Sequence, residues 1–301
     1  MIQCKITLQT LFIFIISFFS ATSQTVQSEY QFEETINLIE FVESAAKIFS
    51  QKGTESFAKF SDKGSKWFKG NKYLFIYDFE GKCIFHPIEK EFVGKNMIDM
   101  CDMNGKPVIR FIINIASNTL KPKGWVHYLW AESDEFFPFW KSAYIVRVED
   151  PQGKPYAIGS GTYDIRTERK FIVDVVDSAA HLIEKEGKAA YEKLIDKSSI
   201  FYFFDVYMFV ISFDGKAIVD PAFPGIKERN LIDFQDAIGK YVVKEIIDKL
   251  KDKNKAFLLY LWPRPGQTKL SKKTLYIRKV KVGKENVIVG SGLFIVDPIW
   301  K

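Results

Sequence analysis

At 301 residues the chain is long enough for two domains, each with its own core. It is 47% hydrophobic and 27% charged, with 28 Phe, 13 Tyr and 6 Trp, which excludes a disordered, collagen-like or coiled-coil chain. The formal charge is only +6 and the lysines are scattered among acids, so nucleic-acid binding has no support.

At the N-terminus, residues 1–5 carry one lysine, residues 11–19 are apolar, and Ala21, Thr22 and Ser23 are small residues before Gln24. This pattern predicts a signal peptide over residues 1–23, cleaved after Ser23, and hence a periplasmic or secreted protein. The apolar run is shorter than the roughly 20 residues that a membrane span needs. No later segment is long and apolar enough to read as one. With Cys4 in the leader, Cys83 and Cys101 remain; they pair if their Cα atoms come close enough and otherwise stay free thiols.

Leu38, Phe41, Val42, Ala45 and Phe49 then recur at helical spacing. Residues 73–77 and 82–85 are strand-like and flank a turn with Gly81, so they read as a hairpin. Further strands are expected at 125–130, 143–148 and 156–163. A short charged connector at 166–170 follows, and the pattern then starts again. Ile172, Val175, Val176, Ala179 and Ile183 form a helical stripe, 207–211 and 216–219 a hairpin, and 257–262, 275–280 and 287–294 strands.

The second half is a copy of the first. A shift of 134 aligns residues 42–105 with 176–239 without a gap, and 21 of the 64 positions are identical. Tyr73 falls on Tyr207, Phe75 on Phe209, Gly81 on Gly215, Pro87 on Pro221 and Asn96 on Asn230. After small gaps, Tyr128, Trp130, Lys141 and Tyr144 fall on Tyr260, Trp262, Lys273 and Tyr276, and Gly159-Ser160-Gly161 on Gly290-Ser291-Gly292. The expectation is an α+β protein with modules at 28–165 and 166–301. Each would be an N-terminal helix plus one antiparallel sheet, with helices on one face of the sheet.

In the first copy, Tyr73-Leu-Phe-Ile-Tyr-Asp78, Gly81, His86-Pro87, Gly94-Lys-Asn96, Asp102-Met-Asn-Gly105, Gly124-Trp-Val-His-Tyr-Leu-Trp130, Lys141-Ser-Ala-Tyr144 and Gly159-Ser-Gly-Thr-Tyr163 follow in order. This ordered set resembles the single Cache domains of bacterial receptors. The second copy is thinner: Asp220 replaces His86, and Phe294 replaces Tyr163. The resemblance implies PAS-like modules that bind a small metabolite (carboxylate, amino acid or amine) between the sheet and its covering loops. Export without a second span points to a soluble sensor, or to the partner of a separate membrane receptor or envelope protein.

A carboxylate site needs a cation and hydroxyl donors on an apolar wall. Lys141 and Tyr144 supply these near a strand start, with Trp125, Tyr128 and Trp130 as an aromatic wall on one strand face, His86 as a switchable donor and Tyr73 beside them. For an amine ligand the same aromatics would form a cage, and Asp99 or Asp102 the anchor. The first module is the expected binder. Lys273, Tyr276, Tyr260 and Trp262 are the second-module candidates.

Three histidines and no nucleophile elbow, phosphate loop or zinc motif argue against an enzyme, a metal or a cofactor. The two Gly-Ser-Gly steps read as close backbone packing. The rival function is a protein-interaction module of the periplasm or envelope whose pockets are merely packed.

Overall fold

A computed structural model describes residues 29–131, 137–163 and 165–295. The expected signal peptide and its cleavage point lie outside these residues. Among those described, no helix is long and apolar enough to cross a membrane.

The first helix, α1 (Glu33–Lys52), buries Leu38, Phe41, Val42, Ala45 and Phe49, the stripe that its 3.6-residue period puts on one face. Glu33 and Glu34 in its first turn complement the helix dipole. It stops at Gly53, whose φ of 52° only glycine adopts cheaply and whose N–H returns to the Phe49 carbonyl. Then come β1 (Leu74–Asp78), β2 (Cys83–Phe85), α2 (Val108–Ser117), β3 (Lys123–Ala131), β4 (Pro138–Glu149) and β5 (Pro155–Thr162). They build an antiparallel sheet in the order β2-β1-β5-β4-β3.

The second half repeats this as α3 (Arg169–Glu186), β6 (Phe209–Ser212), β7 (Ala217–Val219), α4 (Val242–Leu250), β8 (Lys255–Pro263), β9 (Leu270–Val282) and β10 (Glu285–Phe294). Its sheet runs β7-β6-β10-β9-β8. The α+β class and the two-fold repetition of a PAS-like unit are therefore as expected. The layering is not, because each sheet is covered on both faces.

Strand alternation decides what each face carries. Leu74, Ile76, Tyr144, Val148, Tyr156 and Ile158 point toward α1, into a core that runs on through α3 and joins the two halves. Tyr73, Phe75, Tyr77, Val126, Tyr128, Ala143 and Ile145 point the other way, into a separate core closed by α2 and by Phe92, Met97, Ile98 and Met100. The second sheet has its own counterpart under α4.

Two buried charged side chains hold the halves together. Glu168, fully buried at the residue before α3, accepts the N–H groups of Gln31 and Phe32 at 2.9 Å each, so its carboxylate ties the entry of α3 to the chain that leads into α1. Lys106, 1% exposed, donates to the His127 carbonyl at 2.6 Å and, across the junction, to the Tyr202 carbonyl at 2.9 Å. Burial lowers its ammonium to about 8, against a smaller opposing pull from Asp102. Cys83 is buried and Cys101 exposed, and both are free thiols.

Candidate functional site

Under α2, the inward face of the first sheet gathers polar groups on an apolar wall. Lys141 of β4 lies opposite Tyr128 of β3, and its side chain is buried. Its Nζ donates to the Tyr73 hydroxyl at 2.7 Å and lies over the rings of Tyr73 and Tyr163, 4.2 and 4.9 Å from their centroids. Burial raises the Tyr73 hydroxyl, so it keeps its proton. The lysine occupies its acceptor side, and the O–H remains to donate.

His86 sits edge-on to Tyr73 with ring centroids 5.0 Å apart. Its Nδ1 accepts the N–H of Glu89 at 2.9 Å, which assigns the proton of the neutral ring to Nε2. Burial, helped by the charge on Lys141, holds this histidine down at about 3. The site thus combines an ammonium, a phenol O–H and an imidazole N–H, three donors suited to an anion. Tyr128 and Trp130, edge to face at 5.7 Å, complete the wall. Tyr73, His86, Tyr128 and Trp130 line a cavity of only about 10 Å³, room for one water, with Lys141 behind Tyr73 rather than in its wall.

The Gly-Ser-Gly step shapes this arrangement. A methyl at Gly159 would come within 2.6 Å of Ile145 Cδ1 and 2.7 Å of the Phe75 ring. One at Gly161 would meet the Lys141 stem at 3.0 Å. Between them, the Ser160 hydroxyl donates to the Tyr73 carbonyl at 2.6 Å. The two glycines give Phe75 and Lys141 their places, and the serine fixes the strand that carries Tyr73.

The expected set is split by the sheet. Tyr73, His86, Tyr128, Trp130 and Lys141 meet, but Trp125 and Tyr144 lie on the opposite face. Trp125 donates to the Tyr30 hydroxyl at 3.0 Å, and Tyr144 to Glu43 of α1 at 3.3 Å. The reason is parity: residues three apart on a strand point to opposite sides, which separates Tyr144 from Lys141 and Trp125 from Tyr128. His127, also on that far face, stacks on Phe203 at 4.2 Å and pairs with the Ser142 hydroxyl, so it does not meet His86. Of the candidate amine anchors, Asp99 is exposed and paired with Arg110, while Asp102 is bound to the N–H groups of Asn104, Lys106 and Leu129.

The second module repeats the pair. Lys273 Nζ donates to the Tyr207 hydroxyl at 3.0 Å and lies over the Tyr207 and Phe294 rings, at 4.2 and 4.7 Å. The Ser291 hydroxyl holds the Tyr207 carbonyl at 2.7 Å. Tyr260 and Trp262 line the cavity here, about 50 Å³. Burial lowers Lys273 to about 8, against the opposing pull of Asp220. Tyr276, like Tyr144, faces the other way and donates to Asp177 of α3 at 2.9 Å. Tyr207, Tyr163, Phe294, Ser160 and Asp220 were absent from the expected set, although the pairing of Tyr207 with Tyr73 across the repeat was a usable signal.

The Cache domain family matches residues 21–178 and again residues 170–297. The chain belongs to the Cache family. This Cache protein is similar to the methyl-accepting chemotaxis protein McpP of Pseudomonas putida, 29% identical over 96 residues. That match spans 32% of this chain but only 17% of the receptor's length. Among solved structures, one described as showing carboxylic acid recognition by a Cache chemosensory domain is 22% identical, covering 42% of this chain and 91% of that one, with a TM-score of 0.37. The ligand-binding domain of the Pseudomonas aeruginosa amino acid chemoreceptor PctC, in complex with GABA, is 12% identical, covering 93% and 98%, with a TM-score of 0.30.

Proposed function

We propose that this Cache protein is an exported sensor of a small metabolite, and that its first module binds a small carboxylate. The observation that carries the reading is the buried contact of Lys141 with the Tyr73 hydroxyl, beside an apolar-walled cavity that Tyr73 and His86 line. Burial strengthens each interaction with an anion, because water no longer competes for it. A carboxylate oxygen takes the lysine and tyrosine donors and the second oxygen takes the imidazole. As closed, the cavity admits one water, so a ligand enters only when the cap formed by residues 86–107 moves outward.

Export is part of the proposal: the mature chain begins at Gln24, and it acts as a soluble sensor or as the partner of a membrane receptor. N-terminal sequencing of the secreted protein tests the first statement. Calorimetric titration with acetate tests the carboxylate site of the first module. One acetate should bind per chain, Lys141→Met should abolish it, and Tyr144→Phe should leave it unchanged. At about 100 times its dissociation constant, acetate should stabilise the fold by about 2.7 kcal/mol. Binding that survives Lys141→Met overturns the site. The smallness of the first cavity is the observation favouring packed pockets and a protein-docking role, and two modules silent to every small ligand would support that role.

A further inference from the structure

On the α1 side, the first sheet ends in a cluster of aromatic rings. Phe49 meets Tyr156 edge-on at 5.3 Å, Phe57 lies 4.8 Å from Phe85, and Phe60 lies 6.1 Å from Phe85. The repeat puts Ile183, Val287, Tyr191, Val219 and Leu194 at these positions, in the same order, so only one ring survives, and as a tyrosine. The strand frame itself is kept: β6 lies between β7 and β10 as β1 lies between β2 and β5, with Val210 opposite Val289 where Ile76 is opposite Ile158. A close-packed module does not collapse fully around such losses. Where the rings are missing, between the second sheet and the short helix Ala190–Ile195, a groove of about 1080 Å³ opens, with Tyr191, Val219 and Val287 in its wall.

The chemistry of the groove says what fits it. Ile195, Ile218 and Pro221 extend the apolar surface beside the two valines. The rim carries four lysines and five carboxylates, and several of them answer one another: Lys188 faces Glu285 at 3.9 Å, Lys216 pairs with Glu228, and Asp214 accepts the Ser212 hydroxyl. Signs so mixed focus no field on an anion or a cation. The Tyr191 hydroxyl is shielded from solvent and has no hydrogen-bond partner among the described residues. Burial, and then the charge of Glu285, raises it, so it keeps its proton. A hydroxyl in this position is stabilised by any polar group brought against it. An apolar wall with a single polar group of this kind is the make-up of a small-molecule site.

We infer that this groove, on the α3 side of the second sheet and away from the cavity under α4, binds an uncharged bicyclic aromatic molecule that bears a hydroxyl group. Its rings take the places that Phe85 and Tyr156 fill in the first module, and its hydroxyl meets that of Tyr191. This site is independent of the carboxylate site proposed for the first module.

The test is fluorescence titration of the whole mature chain with 2-naphthol and with its charged counterpart, 2-naphthoate. The naphthol should bind once per chain, equally well in the wild type and in Lys141→Met, and with or without acetate. The naphthoate should bind at least tenfold more weakly. The double variant Val219→Phe/Val287→Tyr gives the groove wall the rings of the first module. It should weaken the naphthol at least tenfold while its urea midpoint stays at or above that of the wild type, which a misfolded chain would not do. Tyr191→Phe, which removes only the hydroxyl, should weaken the naphthol at least threefold. No saturable binding of the naphthol, binding that the double variant leaves unchanged, or a preference for the naphthoate overturns the inference. Acetate binding reports on the first module alone, so the two sites stand or fall separately.

Discussion

Acid should unfold this protein earlier than its carboxylates alone would dictate, because two histidines are buried neutral. His86 and His127 are both held at about 3, by burial first and then by Lys141 and Lys106 respectively. In the unfolded chain each returns to 6.5. Below that value the unfolded state binds protons that the folded state refuses, so stability is complete above pH 6.5 and falls as the pH drops toward 3. At about 1.36 kcal/mol per pH unit, each histidine costs about 2 kcal/mol by pH 5 and the pair about 4. That is a large part of a typical native stability of about 5–15 kcal/mol. Carboxylates held low in the fold, Glu34 and Asp236, act below their ordinary 4.5 and 3.8, and the burial-raised Glu89 and Asp220 work in the opposite sense. Urea midpoints followed by tryptophan fluorescence should therefore fall steadily between pH 6.5 and 5. His127→Phe keeps a ring against Phe203 but leaves the Ser142 hydroxyl without its partner. It should be less stable at pH 7 and lose midpoint about half as steeply. A wild-type midpoint that stays level over this window would refute the reasoning.

Glu168→Gln should cost about 2–3 kcal/mol in urea unfolding, because an amide NH₂ would face one of the two N–H donors that the carboxylate now accepts. Gly159→Ala should cost about 1–3 kcal/mol, read as a lower melting temperature, because the new methyl overlaps Ile145 and Phe75; an unchanged melting point would contradict the packing described. In the mature native chain a thiol reagent should titrate Cys101 at once. Cys83, fully buried and pushed up to about 11 by burial, should react only on unfolding.

The duplication and the strands were legible because aromatic and β-branched residues alternate with the period of a pleat, and the repeat restates each strand. The helix at 108–117 was not anticipated. Its run of Val108, Ile109, Ile112 and Ile113 is short and nearly continuous, where helix and strand periods are hard to separate. The candidate site was half legible. Lys141, Tyr73, His86, Tyr128 and Trp130 do meet, but Tyr144 and Trp125 were grouped with them by nearness in sequence, and counting parity along the strand would have removed both. Asp220 read as a loss in a thinning copy, yet the structure shows it holding the same turn as His86. Glu168 had no local signal, since its partners lie more than 130 positions away in the chain.

The Gly-Ser-Gly steps set a boundary on how these modules can diverge. Each presses strand backbone against the stem of the buried lysine, leaving no slack on the sheet side: a methyl at Gly292 would meet the Lys273 Cε at 2.7 Å, as one at Gly161 meets Lys141. Retuning must therefore come from the exchangeable stretch between hairpin and helix, residues 86–107 or 220–241, which can drift or be grafted while the sheet stays constant. A chimera carrying the first stretch on the second sheet is the smallest redesign that this architecture invites.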